Sequence, residues 1–401
     1  MVWRNGDRYD PDDRADHRGG LAPVPLLAYR LITTLVSPLL AAVMLLRGDG
    51  WQQVCQRLGF VPPQRAKTLW FHAASVGEFR ALHPLICRDW GRPVVLTVQS
   101  RQGLDTARQE LPSDIVILPA PLDAPGWFGR FLARIQPDAL VLVESELWPG
   151  WMQALQAAGV PAVLLDGALS ARSARRWARW PQLVRPVTRT VRRVTVSSEQ
   201  RREVFERLGF APIDFALPLK LAGEPLAVDA GLVSQWREWL AGTELVTLAN
   251  VHRSELAVLQ TILKTLAPGV KFIVAPRYPE QLSAIQTVLG EANDTLAYWS
   301  GFGTLGSLYA LGGTVIMGGG FDAEIGSHNP LEALRAGCAV VCGPEAGKQA
   351  ELIALLEQRG MLSRTPDWLP PRDHAPALRA LAEEARDQAI GAIEAVLKPQ
   401  G

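Results

Sequence analysis

Residues 139–166 read ALVLVESELWPGWMQALQAAGVPAVLLD. Two unbroken apolar runs, ALVLV and AVLLD, flank a loop with two carboxylates, a helix-starting Pro149 and an amphipathic stretch. Apolar runs of this length without polar alternation mark strands buried on both faces of a parallel sheet. The pattern repeats from Lys67 onward: TLWFHA, VVLTV and IVIL come before, VTVS after, and LVTLA, FIVA, TVIMG and AVVC later still. Ten such strands are too many for one compact sheet. The alternation pauses at Phe210–Asp229, where prolines and glycine break any long periodic element. The spacing therefore predicts an α/β protein of two Rossmann-like domains facing across a cleft, with ligands at the carboxyl ends of the strands.

The size agrees with two domains: 401 residues, 48% hydrophobic and 20% charged, too apolar for a disordered chain. A net charge of +1 excludes a generally basic, nucleic-acid-coating protein, so anion binding must come from local clusters. Cys55, Cys87, Cys338 and Cys342 fit neither a disulfide framework nor a paired metal site. Cys338 and Cys342 flank a strand and read as buried thiols of a reducing compartment, the cytosol.

The N-terminus is the part least like a soluble protein. Val24–Leu46 is 23 residues long with one charge, Arg30, which is sufficient length to span a bilayer. Arg30, two threonines and two prolines weaken a full span, and no small-residue cleavage site follows. The segment is expected to be a membrane anchor or an interfacial helix. The alternative is a buried helix pair broken at Pro38. Residues 1–23 are charged and expected to be disordered.

Chemistry-bearing residues sit just after the strands. His72-Ala-Ala-Ser75-Val-Gly77-Glu78 contains a capping box, Ser75 with Glu78, and the same carboxylate at a strand end is a candidate base. Glu144 and Glu146 precede Trp148-Pro149, as a charged helix start or as a site. From Arg172 to Arg193 there are eight arginines and no acid, interleaved with Trp177 and Trp180. That composition is either a solvated helix face or a surface for phosphates and membranes. In the second half, Pro276-Arg277 ends a strand where a guanidinium can fork onto a phosphate. Gly318-Gly319-Gly320 is followed by Ser327-His328-Asn329-Pro330-Leu331-Glu332, a helix start with Asn329 as cap and Glu332 within reach of a ribose. His328 alone reads as a satisfied loop histidine. No dinucleotide or P-loop glycine motif is present, and the one D-x-D, Asp10-Pro-Asp12, lies in the tail. No metal or cofactor is expected.

Taken together, HAASVGE, VESELWPG, LSARSARR, LKLAG, APRYPE and SHNPLEALRAG with its following GPE resemble, in order, the Kdo (3-deoxy-D-manno-octulosonic acid) transferase family. The resemblance covers roughly residues 24–360. It implies a GT-B glycosyltransferase with an N-terminal acceptor domain at 47–215, a linker at 216–229 and a CMP-sugar domain with a terminal helix at 230–401. The implied reaction moves Kdo from CMP-Kdo onto a lipid A precursor, with inversion, at the cytoplasmic face of the inner membrane. By match to the family motifs, Glu78 is the general base, and Glu144 and Lys220 stabilise the transition state. Pro276 and Arg277, Phe302 to Thr304 with Gly303 between them, and Asn329, Pro330, Leu331 and Glu332 contact CMP. Arg172, Arg175 and Arg176 are candidate acceptor contacts.

Four segments depart from the family pattern: Ala249–Glu255, Tyr278 in place of His, Thr304 in place of Glu, and Leu221-Ala222 after Lys220. They leave two further readings, a paralogue using another CMP-ulosonate and a catalytically silent envelope protein.

Overall fold

The computed structural model describes residues 24–64, 66–265, 269–301, 303–365 and 374–398. The tail 1–23 and Phe302 lie outside them. The chain divides into two compact units, one running to Glu224 and rejoined by residues from Ala382 onward, the other Pro225–Leu381.

The first unit holds a parallel sheet in the order β3-β2-β1-β4-β5-β6-β7. Its strands are β1 (Thr68–Ala73), β2 (Val94–Val98), β3 (Val116–Pro119), β4 (Pro137–Val143), β5 (Ala162–Leu165), β6 (Val191–Val196) and β7 (Ile213–Phe215). The second unit has the order β10-β9-β8-β11-β12-β13. These are β8 (Glu244–Val251), β9 (Val270–Pro276), β10 (Leu296–Tyr298), β11 (Thr314–Met317), β12 (Ala339–Cys342) and β13 (Leu362–Ser363). All pairings are parallel, so each sheet's loops after its strands share one edge. The strand order reverses between β1 and β4 and again between β8 and β11, the crevices where such sheets bind ligands. Three strands go beyond the ten read from sequence. β7, β10 and β13 are three, three and two residues long and lie at sheet edges, too short for a run to register.

The helices used below are α1 (Val24–Leu46), α2 (Val76–Ile86), α3 (Pro125–Ile135), α4 (Pro149–Ala157), α5 (Ala171–Ala178), α6 (Pro181–Thr190), α7 (Leu331–Arg335) and α8 (Ala375–Leu397). The sequence division assigned the terminal helix to the second domain, but α8 from Ala382 groups with the first unit. There Gln388 Oε1 accepts from the Leu217 N–H at 2.7 Å, and Arg88 pairs with Glu394 at 3.5 Å.

The first unit's core is aromatic. Trp70 is wholly buried, with ring centroids 5.3 Å from Phe131 and 5.2 Å from Trp151, and its indole N–H donates to Thr97 Oγ1 at 2.9 Å. A buried tryptophan needs such a partner. Cys338 and Cys342 are buried, as their apolar setting predicts, and the Cys338 thiol donates to Tyr309 O at 3.3 Å.

The segment 24–46 forms one continuous helix rather than a pair broken at Pro38. Proline has no N–H to offer the carbonyl four residues back. Here Ser37 Oγ donates to that carbonyl, Thr34 O, at 2.8 Å, so the group stays satisfied and the helix continues. The helix is long and apolar enough to cross a membrane, and nearly all of its apolar stretch is uncovered.

Candidate active site

At the carboxyl edge of the first sheet, β1 passes into α2 through Ala74 and Ser75. Ser75 caps α2 by accepting the Glu78 N–H at 3.3 Å. The Glu78 carboxylate turns back: Oε2 accepts from the Ala74 N–H at 2.7 Å and Oε1 from the Ser75 hydroxyl at 3.1 Å. Cap and candidate base are thus one arrangement, and each oxygen keeps a lone pair free. Burial pushes Glu78 up, the Ala74 N–H opposes it, and neighbouring Glu144 and Glu146 push it up further. The result is a carboxyl moved from 4.5 to about 7, poised for proton transfer near neutrality.

Glu144 follows β4 with φ +57, a left-handed conformation that a non-glycine residue holds only at a cost of roughly 1–3 kcal/mol. Lys220 Nζ lies 3.0 Å from Glu144 Oε1, both side chains partly exposed. Two residues on, Glu146 accepts from the Trp148 indole at 3.1 Å and faces the wholly buried His72, whose Nε2 is 3.7 Å away. That separation is beyond a hydrogen bond. Burial raises Glu146, but His72 and the Trp148 N–H outweigh it and hold the carboxyl below its ordinary range. The pair of glutamates is therefore split: Glu146 stays charged while Glu78 can exchange its proton.

Sequence reasoning missed Asp166. It ends the AVLLD run as Glu144 ends ALVLV, and it too is left-handed, with φ +48. That shared position directly after a strand was the available signal. Asp166 is buried; Oδ1 pairs with Arg201 Nη1 at 2.7 Å and accepts from the Ser197 hydroxyl at 3.3 Å. Its Oδ2 accepts from the Leu219 N–H at 3.1 Å, fixing the 3₁₀ turn Leu219–Ala222 that carries Lys220. Burial raises Asp166 against the pull of Arg201.

In the second unit the CMP-segment residues lie along one sheet edge. Pro276 and Arg277 end β9, Gly303 and Thr304 follow β10, and Asn329–Glu332 follow β11. Asn329 Oδ1 accepts from the Leu331 N–H at 3.1 Å, but α7 begins at Leu331, one residue later than the motif suggests, so Pro330 and not Asn329 holds the cap position. Leu331 is wholly buried and anchors the turn. The Thr304 hydroxyl is occupied locally, accepting from the Trp299 indole at 2.9 Å and donating to Gly301 O at 2.8 Å. A side chain at Gly320 would meet Gly343 N at 2.6 Å, so backbone of the glycine loop and of the loop after β12 pack directly together.

The structure also joins two histidines that spacing did not connect. His252 after β8 and His328 after β11 flank the strand-order reversal, with Nε2 atoms 2.7 Å apart and rings stacked at 5.0 Å. Beneath them the buried Glu255 accepts from the His252 N–H at 3.2 Å and the Phe321 N–H at 3.1 Å. Burial, then His252, then Arg277 lower His328 to about 4. The folded state thus keeps it neutral while the unfolded chain takes up a proton near 6.5. Stability is full above that value and is lost as pH falls toward 4. Denaturant titrations across this window should show a decline of about 2 kcal/mol, absent in H328N.

Of the acceptor candidates, Arg172 and Arg175 are exposed on α5, a helix with no buried residue, and Arg176 borders a cavity of about 400 Å³. That cavity lies between Tyr29 of α1, the Ser145–Pro149 loop, and Trp177, Trp180 and Leu183.

Two parallel Rossmann-type sheets, with carboxylates after β1 and β4 in one and His252 and His328 after β8 and β11 in the other, make the fold of GT-B type. Residues 52–222 match the family described as 3-deoxy-D-manno-octulosonic-acid transferase (kdotransferase). The chain is 29% identical over 360 residues to the 3-deoxy-D-manno-octulosonic acid transferase of Bordetella pertussis, covering 82% of this chain and 83% of that one. It is 28% identical over 333 residues to the enzyme of that name from Chlamydophila psittaci, covering 76% of each. A probable mitochondrial one of Arabidopsis thaliana is 27% identical, over 84% of this chain and 83% of its own. The chain is thus similar to Kdo transferases along most of its length. Among solved structures, UDP-GlcNAc 2-epimerase from Neisseria meningitidis bound to UDP-GlcNAc aligns with TM-score 0.51 at 14% identity, over 83% of this chain and 93% of that one. That likeness is one of fold.

Proposed function

We propose that this chain transfers Kdo from CMP-Kdo to a lipid A precursor at the cytoplasmic face of the inner membrane, inverting the anomeric centre. The first unit takes the acceptor and the second the nucleotide. The observation that carries this reading is Glu78: a carboxyl at a strand's carboxyl end, moved to about 7, beside a fixed Lys220–Glu144 pair. Glu78 takes the proton of the acceptor hydroxyl as that oxygen bonds the anomeric carbon. The carbon–phosphate oxygen bond breaks, and CMP leaves with the electron pair. Lys220, set by Glu144 and by the Asp166-bound turn, offsets the charge that develops on the leaving phosphate. Arg277 and the Asn329–Glu332 segment bind CMP.

Incubation of the purified protein with CMP-Kdo and a lipid A precursor tests this directly, with CMP release and product mass as readouts. A folded protein that binds CMP and releases none overturns it. The engaged hydroxyl of Thr304, standing where the family has an acid, favours as second reading a different CMP-ulosonate donor; product mass tells the two apart.

A further inference from the structure

Helix α1 is fixed to its own unit along its length. Leu26 and Ser37 are buried, and Tyr29, Arg30, Thr33, Ala41 and Met44 are half-buried. These positions recur every three or four residues, one face of a helix. Two polar ties hold that face. The Tyr29 hydroxyl donates to the Asp123 carboxylate, whose Oδ2 also accepts from the Gly150 N–H at 3.2 Å, and the Trp127 indole donates to Ser37 Oγ at 2.9 Å. From Leu26 to Met44 the attached face runs about 27 Å. A bilayer's hydrocarbon core is about 30 Å thick. Were α1 to cross it, Asp123, α3 and the irregular backbone before α3 would be carried into hydrocarbon, where open backbone groups go unpaired.

The opposite face is apolar and bare. Nine of the eighteen exposed large hydrophobic side chains among the described residues lie on α1. Trp51 and Trp180, at 70% and 50% exposure, add amphipathic rings, the residue type that sits at headgroup level, and Phe60, at 54%, adds a purely apolar one. Phe60 lies 6.3 Å from Trp127, and α1 itself packs against α6, which follows Trp180. The arginines of α5 come next in the chain before α6 and supply cations for an anionic surface. The cavity bordered by Tyr29 of the attached face, Trp148, Arg176 and the exposed Trp180 lies beside α1, and Glu146 lines it too, next to the Glu78 cluster.

We propose that α1 lies along the bilayer surface instead of crossing it, and that the adjoining cavity takes the phosphorylated headgroup of a glycolipid still seated in that surface. Arg176 meets the phosphate, the tryptophans cover the sugar and the first acyl carbons, and the chains remain in the lipid. The cavity half of this inference rests on the lipid acceptor proposed above; the orientation of α1 does not.

Nitroxide labels on A28C, L35C and L46C, with Cys55 and Cys87 replaced, report depth in phosphatidylethanolamine–phosphatidylglycerol vesicles. The three positions lie on one side of the helix across about 27 Å. Equal shallow depths are expected; a label at position 35 far deeper than the other two overturns the in-plane helix. For the cavity, the readout is binding of a diacyl glucosamine 1-phosphate to detergent-solubilised protein. R176E should weaken it about tenfold or more, and W180A should weaken it as well. Unchanged affinity, or equal competition by inorganic phosphate, overturns the cavity assignment. Neither measurement needs sugar transfer, so a protein inactive with CMP-Kdo would refute the proposed reaction while these results stood by themselves.

Discussion

Replacing Glu78 with Gln is expected to lower turnover by about 10²–10⁴-fold, the range for losing a positioned general base. The amide oxygen of Gln still accepts from the Ala74 N–H, so the start of α2 survives and the loss belongs to proton transfer. Glu78→Ala removes the tie as well and should cost about 1 kcal/mol of stability in addition. Because the wild-type carboxyl stands at about 7, kcat/KM should rise with pH up to that value and level off above it. Stability runs the other way. The folded value lies above the unfolded 4.5, so the protonated form is the favoured one, and stability present at low pH is lost as pH rises through about 7. Above neutrality E78Q should therefore be more stable than wild type by about 1 kcal/mol, allowing for partial exposure. A dead enzyme with a raised Tm identifies Glu78 as a catalyst held against its folding preference. An active E78Q would reduce it to a cap.

Lys220→Met should lower kcat by about 10²–10³-fold, with little change in acceptor KM, if the ammonium acts on the leaving phosphate. Lys220→Arg should recover only part of this, since a planar fork does not reproduce a compact charge 3.0 Å from Glu144. The partly exposed lysine contributes little to folding, so a drop in Tm parallel to the drop in kcat would instead assign it a structural role. The KM of the acceptor separates the two units' roles: a rise there with unchanged kcat would move Lys220 out of the reaction and into binding.

Much of this was legible in the sequence. Long strands such as VVLTV and ALVLV announce themselves because a strand covered on both faces shows no alternation of polar and apolar positions. Glu78 and Glu144 were legible because a carboxylate directly after such a strand has an obvious place. The edge strands were not: Ile213–Phe215 follows Pro212, and Leu362–Ser363 is two residues long. Nor was the His252–His328 pair, whose members are 76 residues apart and meet only because β8 and β11 are neighbours. Asp166 escaped because it reads as the end of a strand, and only its left-handed backbone and its hold on Leu219 give it a role. The apolar character of Val24–Leu46 was plain, but its orientation depends on Asp123 and Trp127, distant residues that no local pattern could bring in.

The return of α8 to the first unit bears on how the protein is made. Gln388, which receives the Leu217 N–H, and Glu394, which pairs with Arg88, are translated only after the whole of the second unit. On the ribosome, the unit carrying Glu78 and α1 thus waits for its closing contacts until its companion has emerged. A chain stopped between the units would leave the first one lacking those contacts, and cutting the gene at residue 224 should yield a less stable fragment, not an autonomous domain.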